Sequence, residues 1–410
     1  MKNPELTSIK NSNRLKADNS KMTENQPSPW KKRAIRIGAA LLLAIAFYVV
    51  YLGFVKRDMS DFGVCYRNGQ RILAGETLYR VSDGHLQYKY APVSALFYSG
   101  LALLPYPAAK VVWYYLELIL LFGGFWIGYR ILPQRKKGPW FVVGLGFAVL
   151  AKLIGREIEL GQVNILIIFL LMAMIAAFLK KKDGWAGAAW AASLVFKPYA
   201  LIFLPYFILK KRWKLLGWGA GVLAAGLALP IVSFGARGNI VVLQEWFSTL
   251  SKSTPGLMAV GDNGSLYAFV WKLLPGDQPG AAKIIWLLAG LAAAAGFLWM
   301  MRAGRTSSIS APEVLEASFL MVLIPFFSPL GWYYNYLYAL PAVLLVLGRW
   351  TDIPQIWKYV LAFDLVVIGA TLREVLGTVL FRFYTHHSLI ALNFLVLLAG
   401  LAALRARRIA

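Results

Sequence analysis

Apolar runs long enough to cross a bilayer recur along this chain, and short clusters of lysine and arginine separate them. Each crossing takes about 20 apolar residues. Backbone inside lipid must satisfy its own hydrogen bonds, so an open chain of this kind is confined to helices. Runs near 34–55, 107–132, 139–155, 163–179, 213–233, 282–301, 311–327, 333–349, 354–372 and 387–404 read as crossings. Pro92–Leu104 is too short for a comfortable crossing, and Gly184–Leu209 lies between two basic clusters. Both read as short helices or re-entrant hairpins. The expectation is an all-α polytopic membrane protein with about 10–13 membrane helices, short ones included. A hydrophobic share of 59% against 15% charged belongs to that class. The single cysteine, Cys65, leaves no intramolecular disulfide and reads as a small packing residue.

A net charge of +24 raises the question of nucleic acid. Here the basic residues fall between apolar runs, as in cytoplasmic loops, so the expected partner is the lipid bilayer and not nucleic acid. The clusters at 134–137, 180–182 and 210–214, with Arg302, Arg305, Arg349 and 405–408, place both termini in the cytoplasm. Residues 1–33 read as a disordered basic tail, 34–404 as one transmembrane domain and 405–410 as a basic C-terminus. The first apolar run starts late and lacks a small-residue cleavage site, so it reads as an anchor.

The segments on the other face carry the unusual residues. In Asp58–Pro92, Asp61, Phe62, Tyr66, Gly69 and Leu73 recur at helical spacing, opposite Arg67, Gln70 and Arg71. That is an amphipathic interfacial helix ended by Gly75. Asp61 is either its N-cap or a functional carboxylate. Arg156-Glu157-x-Glu159-x-Gly161-Gln162-x-Asn164 reads as a structural ion pair with amide contacts between helices, or as part of a site. Lys197, inside an apolar hairpin, either snorkels or points its ammonium at an anion. Asp262-Asn263-Gly264-Ser265 reads alone as a turn and cap, and the aromatics around Trp332 as an interfacial belt or a sugar platform. Arg373, Arg382, His386 and His387 lie near the last spans without metal-ligand spacing. No P-loop, dinucleotide fingerprint, GxSxG or zinc pattern is present, so no cofactor and no metal site is expected.

The succession Asp61-Phe62, Tyr66, Gly75-x-x-Leu78-Tyr79, Tyr88-x-Tyr90-x-Pro92, Gly161-Gln162-x-Asn164, Lys197-Pro198, Asn263-x-Ser265-Leu266 and Ser328-Pro329-x-x-Trp332 resembles glycosyltransferase family 87. The resemblance runs from about 34 to 404. It departs in reading Trp332-Tyr333-Tyr334 where many members read Trp-His-His, and in placing Ala91 between Tyr90 and Pro92. It implies a GT-C fold in a bacterial plasma membrane, with the site on the non-cytoplasmic face. It also implies a polyprenyl-phosphate-linked sugar donor, mannose in characterised members, and a catalytic aspartate at Asp61.

A lipid phosphate leaves as an anion and needs no general acid, so one base and cations to hold the phosphate suffice. The expected set is Asp61 as base, with Lys197, Arg156, Lys89 and Arg382 toward the phosphate. Tyr66, Tyr90, Gln162, Asn164, Asn263, Ser265, Trp332 and His386 are expected around the sugar and a lipid or glycan acceptor. One displacement inverts the anomeric centre. The alternatives are a lipid-linked-glycan flippase or other transporter, and a glycan ligase or polymerase. Ionisable residues within the spans, Glu117 and Asp364, are too sparse to favour a transport path.

Overall fold

The computed structural model describes residues 29–276, 278–303 and 310–406. The chain divides into two compact units, 1–57 and 58–410. In the first, helix α1 (Pro29–Val50) continues into a π-helical turn, Tyr51–Val55. Leu41, Leu42, Leu43 and Ile45 are exposed, as suits a helix whose solvent is lipid. The tail expected over 1–33 lies mostly outside the described residues, as do residues 407–410 of the expected basic C-terminus.

The second unit opens with α2 (Ser60–Leu73) and α3 (Pro92–Ala102), followed by the long α4 (Tyr106–Ile131) and α5 (Pro139–Leu160). Then come α6 (Asn164–Leu179), α7 (Asp183–Phe196), α8 (Phe203–Leu209), α9 (Trp213–Ala228) and α10 (Ile231–Ser253). The rest is α11 (Leu266–Leu273), α12 (Pro279–Ala303), α13 (Pro312–Phe327), α14 (Leu340–Gly348), α15 (Gln355–Ala370), α16 (Arg373–His386) and α17 (Ile390–Ala406). No strand occurs among the described residues. Proline opens α3, α4, α5, α13 and α14, where its missing N–H costs nothing.

The fold class is the expected one, all-α and multi-pass. Two helices, Tyr106–Ile131 and Pro279–Arg302, are long and apolar enough to cross alone. Two more spans arise if the bent pairs Trp213–Ala228 with Ile231–Leu257, and Arg373–His386 with Ile390–Ala406, each count as one. Leu41–Val55, Pro92–Ala102, Asn164–Leu179, Pro198–Leu209 and Tyr333–Gly348 are shorter apolar helices. The expected crossing over 139–155 extends to Leu160 and brings Arg156, Glu157 and Glu159 into α5. After Ala228 the chain turns by 95° and continues as α10.

Side-chain contacts show how the helices are oriented. At one end, Lys136 pairs with Asp352 at 2.7 Å, Arg349 with Asp352 at 2.7 Å, and Lys210 with Glu316 at 2.7 Å. Arg405 is not a free tail charge, since it is buried in α17 and donates to the Met300 carbonyl at 3.1 Å. From this end α7 runs inward and α8 returns, with Arg212 paired to Asp183 to close the base. The expected hairpin is therefore a broken pair of helices with Lys197 at its tip. At the other end, the turn after α5, the residues after α13 and the 3-10 helix before α14 line one cavity with Lys197.

Candidate active site

α2 supplies the carboxylate. Met59 begins the helix in the left-handed region, φ 60°, and the Ser60 N–H donates to the Asp58 carboxylate at 3.0 Å. Asp61 is thus not the cap, and its carboxylate instead accepts from the Gln162 amide. Phe62 and Tyr66 are buried on the expected face, whereas Leu73 is 54% exposed at the C-terminal end. Gly75, at φ +66°, closes the helix as Glu76 N–H reaches the Arg71 carbonyl at 2.9 Å. Beyond it, Arg71 grips Asp83 at 2.5 and 2.8 Å and holds that carboxyl below its ordinary range, mainly by these bonds. Tyr79 donates to the Tyr90 carbonyl at 2.7 Å and Trp246 to that of Lys89 at 3.0 Å. These bonds fix the strap 85–90.

The turn after α5 locks onto α2. Gly161 has φ +66°, and a β-carbon there would stand 2.6 Å from the Phe62 β-carbon, so only glycine fits. Trp113 donates to the Gly161 carbonyl at 3.2 Å, and Met59 N–H to that of Glu159 at 2.8 Å. Gln162 then faces Asp61. Its side-chain oxygen accepts from the Lys197 ammonium at 3.0 Å, and its amide nitrogen lies 3.3 Å from the Tyr334 hydroxyl. Lys197 also donates to Asn164 at 2.9 Å, and lies 5.7 and 5.6 Å from the Tyr90 and Tyr199 ring centres. Asn164 in turn donates to Glu157 at 2.7 Å and to Asn335 at 3.0 Å.

These groups line a cavity of about 470 Å³, within the range of small-molecule sites. Of the expected residues, Asp61, Lys89, Tyr90, Gln162, Lys197 and Trp332 line it. Asn164 stands behind the wall and holds Lys197. Burial pushes the Asp61 carboxyl above its ordinary value, against the pull of Lys197 and the Gln162 hydrogen bond, with Asp58 adding to the rise. Burial also lowers Lys89. No hydrogen bond or ion pair to the Lys89 ammonium is found among the described residues.

The remaining expected residues lie elsewhere. Arg156 spends its guanidinium on Glu159 at 2.8 Å, with Asp58 at 3.9 Å. Tyr66 donates to the Leu104 carbonyl at 2.8 Å. Arg382 and His386 sit on α16, away from the cavity lining. Asn263 and Ser265, both fully buried, act as a clamp. The Asn263 amide donates to the carbonyls of Pro329 and Met258 at 2.9 Å each, and Ser265 caps α11 through the Ala268 N–H. Asn263 also bridges Trp332, and the Gly264 N–H donates to the Gly331 carbonyl at 2.8 Å. Polar residues opening an apolar helix carry the same sequence signal whether they clamp a loop or bind a ligand.

Sequence reasoning missed several lining residues. His85 and Gln87 come from the strap, Tyr199 and Tyr334 flank known motifs, and Leu250, Thr254 and Leu257 come from the end of α10 and its extension. The signal for the last group was available in the helical spacing of 240, 243, 247 and 250.

The family model for glycosyltransferase family 87 matches residues 88–329. The chain belongs to glycosyltransferase family 87. It is similar to a polyprenol-phosphate-mannose-dependent alpha-(1-2)-phosphatidylinositol mannoside mannosyltransferase of Mycobacterium tuberculosis, 23% identical over 310 residues. That alignment covers 70% of this chain and 69% of the relative. It is also similar to an alpha-(1->3)-arabinofuranosyltransferase of Corynebacterium glutamicum, 23% identical over 345 residues, covering 78% and 77%. Among solved structures, ArnT from Cupriavidus metallidurans in the apo state superposes with a TM-score of 0.39 at 13% identity, over 91% of this chain and 77% of that one. This family 87 protein is a multi-pass membrane glycosyltransferase.

Proposed function

We propose that this glycosyltransferase moves mannose from a polyprenyl-phosphate donor to a hydroxyl of a lipid or glycan acceptor, outside the cytoplasm and with inversion. The observation that carries this is the Asp61–Gln162–Lys197 constellation, one carboxylate and one ammonium bridged by an amide in the cavity wall. The acceptor oxygen attacks the anomeric carbon while its proton passes to the Asp61 carboxylate. The bond from that carbon to the phosphate oxygen breaks, and the polyprenyl phosphate leaves with the added negative charge. Two of Lys197's three N–H bonds are engaged by Gln162 and Asn164, which leaves one for phosphate. Lys89 offers three, and we assign it the larger share of the phosphate. This narrows the expected cation set and leaves Arg156 to α5 and its neighbours. Trp332 and Tyr199 offer flat faces to the sugar.

The mannosyl reading follows the mycobacterial relatives, whose names specify polyprenol-phosphate-mannose dependence. The corynebacterial relative favours a second reading, an arabinofuranosyl donor. Purified protein is incubated with radiolabelled polyprenyl phosphate carrying mannose, or the same lipid carrying arabinofuranose, and a panel of acceptors. Label transferred only from mannose supports the first reading, and label transferred only from arabinofuranose replaces it with the second. Lipid moved across the bilayer with no glycosidic bond formed overturns both.

A further inference from the structure

We propose that α10 is an interfacial anchor that lays its exposed face into an anionic lipid surface at the mouth of the cavity. Beyond Gly235 and Ala236, its exposed residues form one stripe, Arg237, Ile240, Val241, Gln244, Phe247, Ser251 and Lys252. Ile240, Val241 and Phe247 are 58%, 52% and 73% exposed, a large contiguous apolar area. The opposite face, Asn239, Val242 and Thr249, is buried against the protein. The stripe is thus apolar in its middle and cationic at both ends, with Glu245 half-buried at its edge. That pattern fits acyl chains flanked by anionic headgroups and does not fit water.

The geometry gives the stripe its place. α9 is apolar and starts at the basic end, and the segment from Ile231 to Leu257 lies at 95° to it. α9 rises from the basic end toward the cavity end, and a helix perpendicular to it runs along the membrane plane. Gly235, at φ 68° and ψ 173°, interrupts the helix just before the stripe begins, and Asn239 donates to the Leu227 carbonyl at 3.0 Å to hold the bend. The bend between the two helices is apolar and exposed as well, through Leu229, Ile231 and Val232. The anchor also faces the cavity, since Leu250, Thr254 and Leu257 line it and Trp246 holds the strap at Lys89. An anchored α10 therefore opens the cavity sideways to lipid, so that a lipid-linked substrate enters from the bilayer. This last consequence rests on the proposed function, whereas the depth of the helix does not.

Nitroxide labels at single cysteines test the depth without any assay of transfer. Cys65 is buried, so labelled wild-type protein serves as the blank. Ile240→Cys, Val241→Cys and Phe247→Cys are made in the full chain, purified, and reconstituted in vesicles of phosphatidylcholine with phosphatidylglycerol. Collision rates with oxygen and with a water-soluble nickel chelate are then compared. The expected result is that oxygen collisions dominate at all three sites, at a depth of about 5–10 Å below the headgroups. Dominant nickel collisions overturn the proposal, because the stripe then faces water. Exclusion of both probes overturns it too, because a second copy or another protein then covers the stripe. If the depth is as expected but no sugar moves, the anchor stands and the catalytic reading falls.

Discussion

Asp61 carries the chemistry in this account, and its surroundings make it costly to keep. Its carboxyl sits above the ordinary aspartate value because burial outweighs Lys197 and Gln162. A raised carboxyl contributes stability below its unfolded value and loses it as pH rises through the folded one. At neutral pH the ionised form therefore costs folding energy, and Asp61→Asn is expected to hold or raise Tm in a thermal melt. The base must be ionised to act, so transfer is expected to fall as pH drops through the raised value. A kcat/KM–pH profile, which reports the free enzyme, locates that limb. The two lysines separate by their bonds. Lys89→Ala, removing a free cation, is expected to raise donor KM by about 10–100-fold, as for a hydrogen bond to a charged group. Lys197→Ala is expected to lower kcat as well, because it also releases Gln162 and Asn164, and steady-state kinetics on both variants reads the split. Asp61, Gln162, Lys197 and Trp332 were legible in the sequence because polar or aromatic groups interrupt apolar runs there. Asn263 and Ser265 were misplaced because only the positions of nearby carbonyls distinguish a clamp from a ligand contact.

At the scale of elements, the site depends on two turns and a clamp. Gly161→Ala forces a side chain into the left-handed region and against Phe62. The backbone cost is about 1–2 kcal/mol, with about 1–3 kcal/mol more for the clash. A chemical or thermal melt is expected to show that loss, together with reduced transfer. Gly331 is as constrained, since a β-carbon there would stand 2.1 Å from the Pro325 carbonyl oxygen. Helix existence was legible from apolar runs, and most starts fell where proline or a basic cluster stands. α10 was not, because a stripe broken by Arg237, Gln244 and Glu245 reads as a polar segment until its 3.6-residue period is counted.

Across the whole molecule, the basic clusters and the cavity lie at opposite ends of the same helices. Under the positive-inside rule this supports the proposed placement of the cavity outside the cytoplasm. His85, exposed at the rim, and Ser310, exposed at the basic end before α13, form a test pair. His85→Cys is expected to react with a membrane-impermeant maleimide in intact cells, and Ser310→Cys only after permeabilisation. The reverse pattern would invert the topology. The division of ends was legible in charge alone, whereas the joining of segments 61, 162 and 197 into one wall required the fold. The central claim is that Asp61 is the base of a sugar transfer. Its most direct test compares wild-type protein and Asp61→Asn in proteoliposomes with radiolabelled polyprenyl-phosphate-mannose and an acceptor panel, measuring donor binding in parallel. The account predicts a fall in transfer of about 10²–10⁴-fold, with donor binding and Tm retained. Transfer at the wild-type rate by the variant would contradict it.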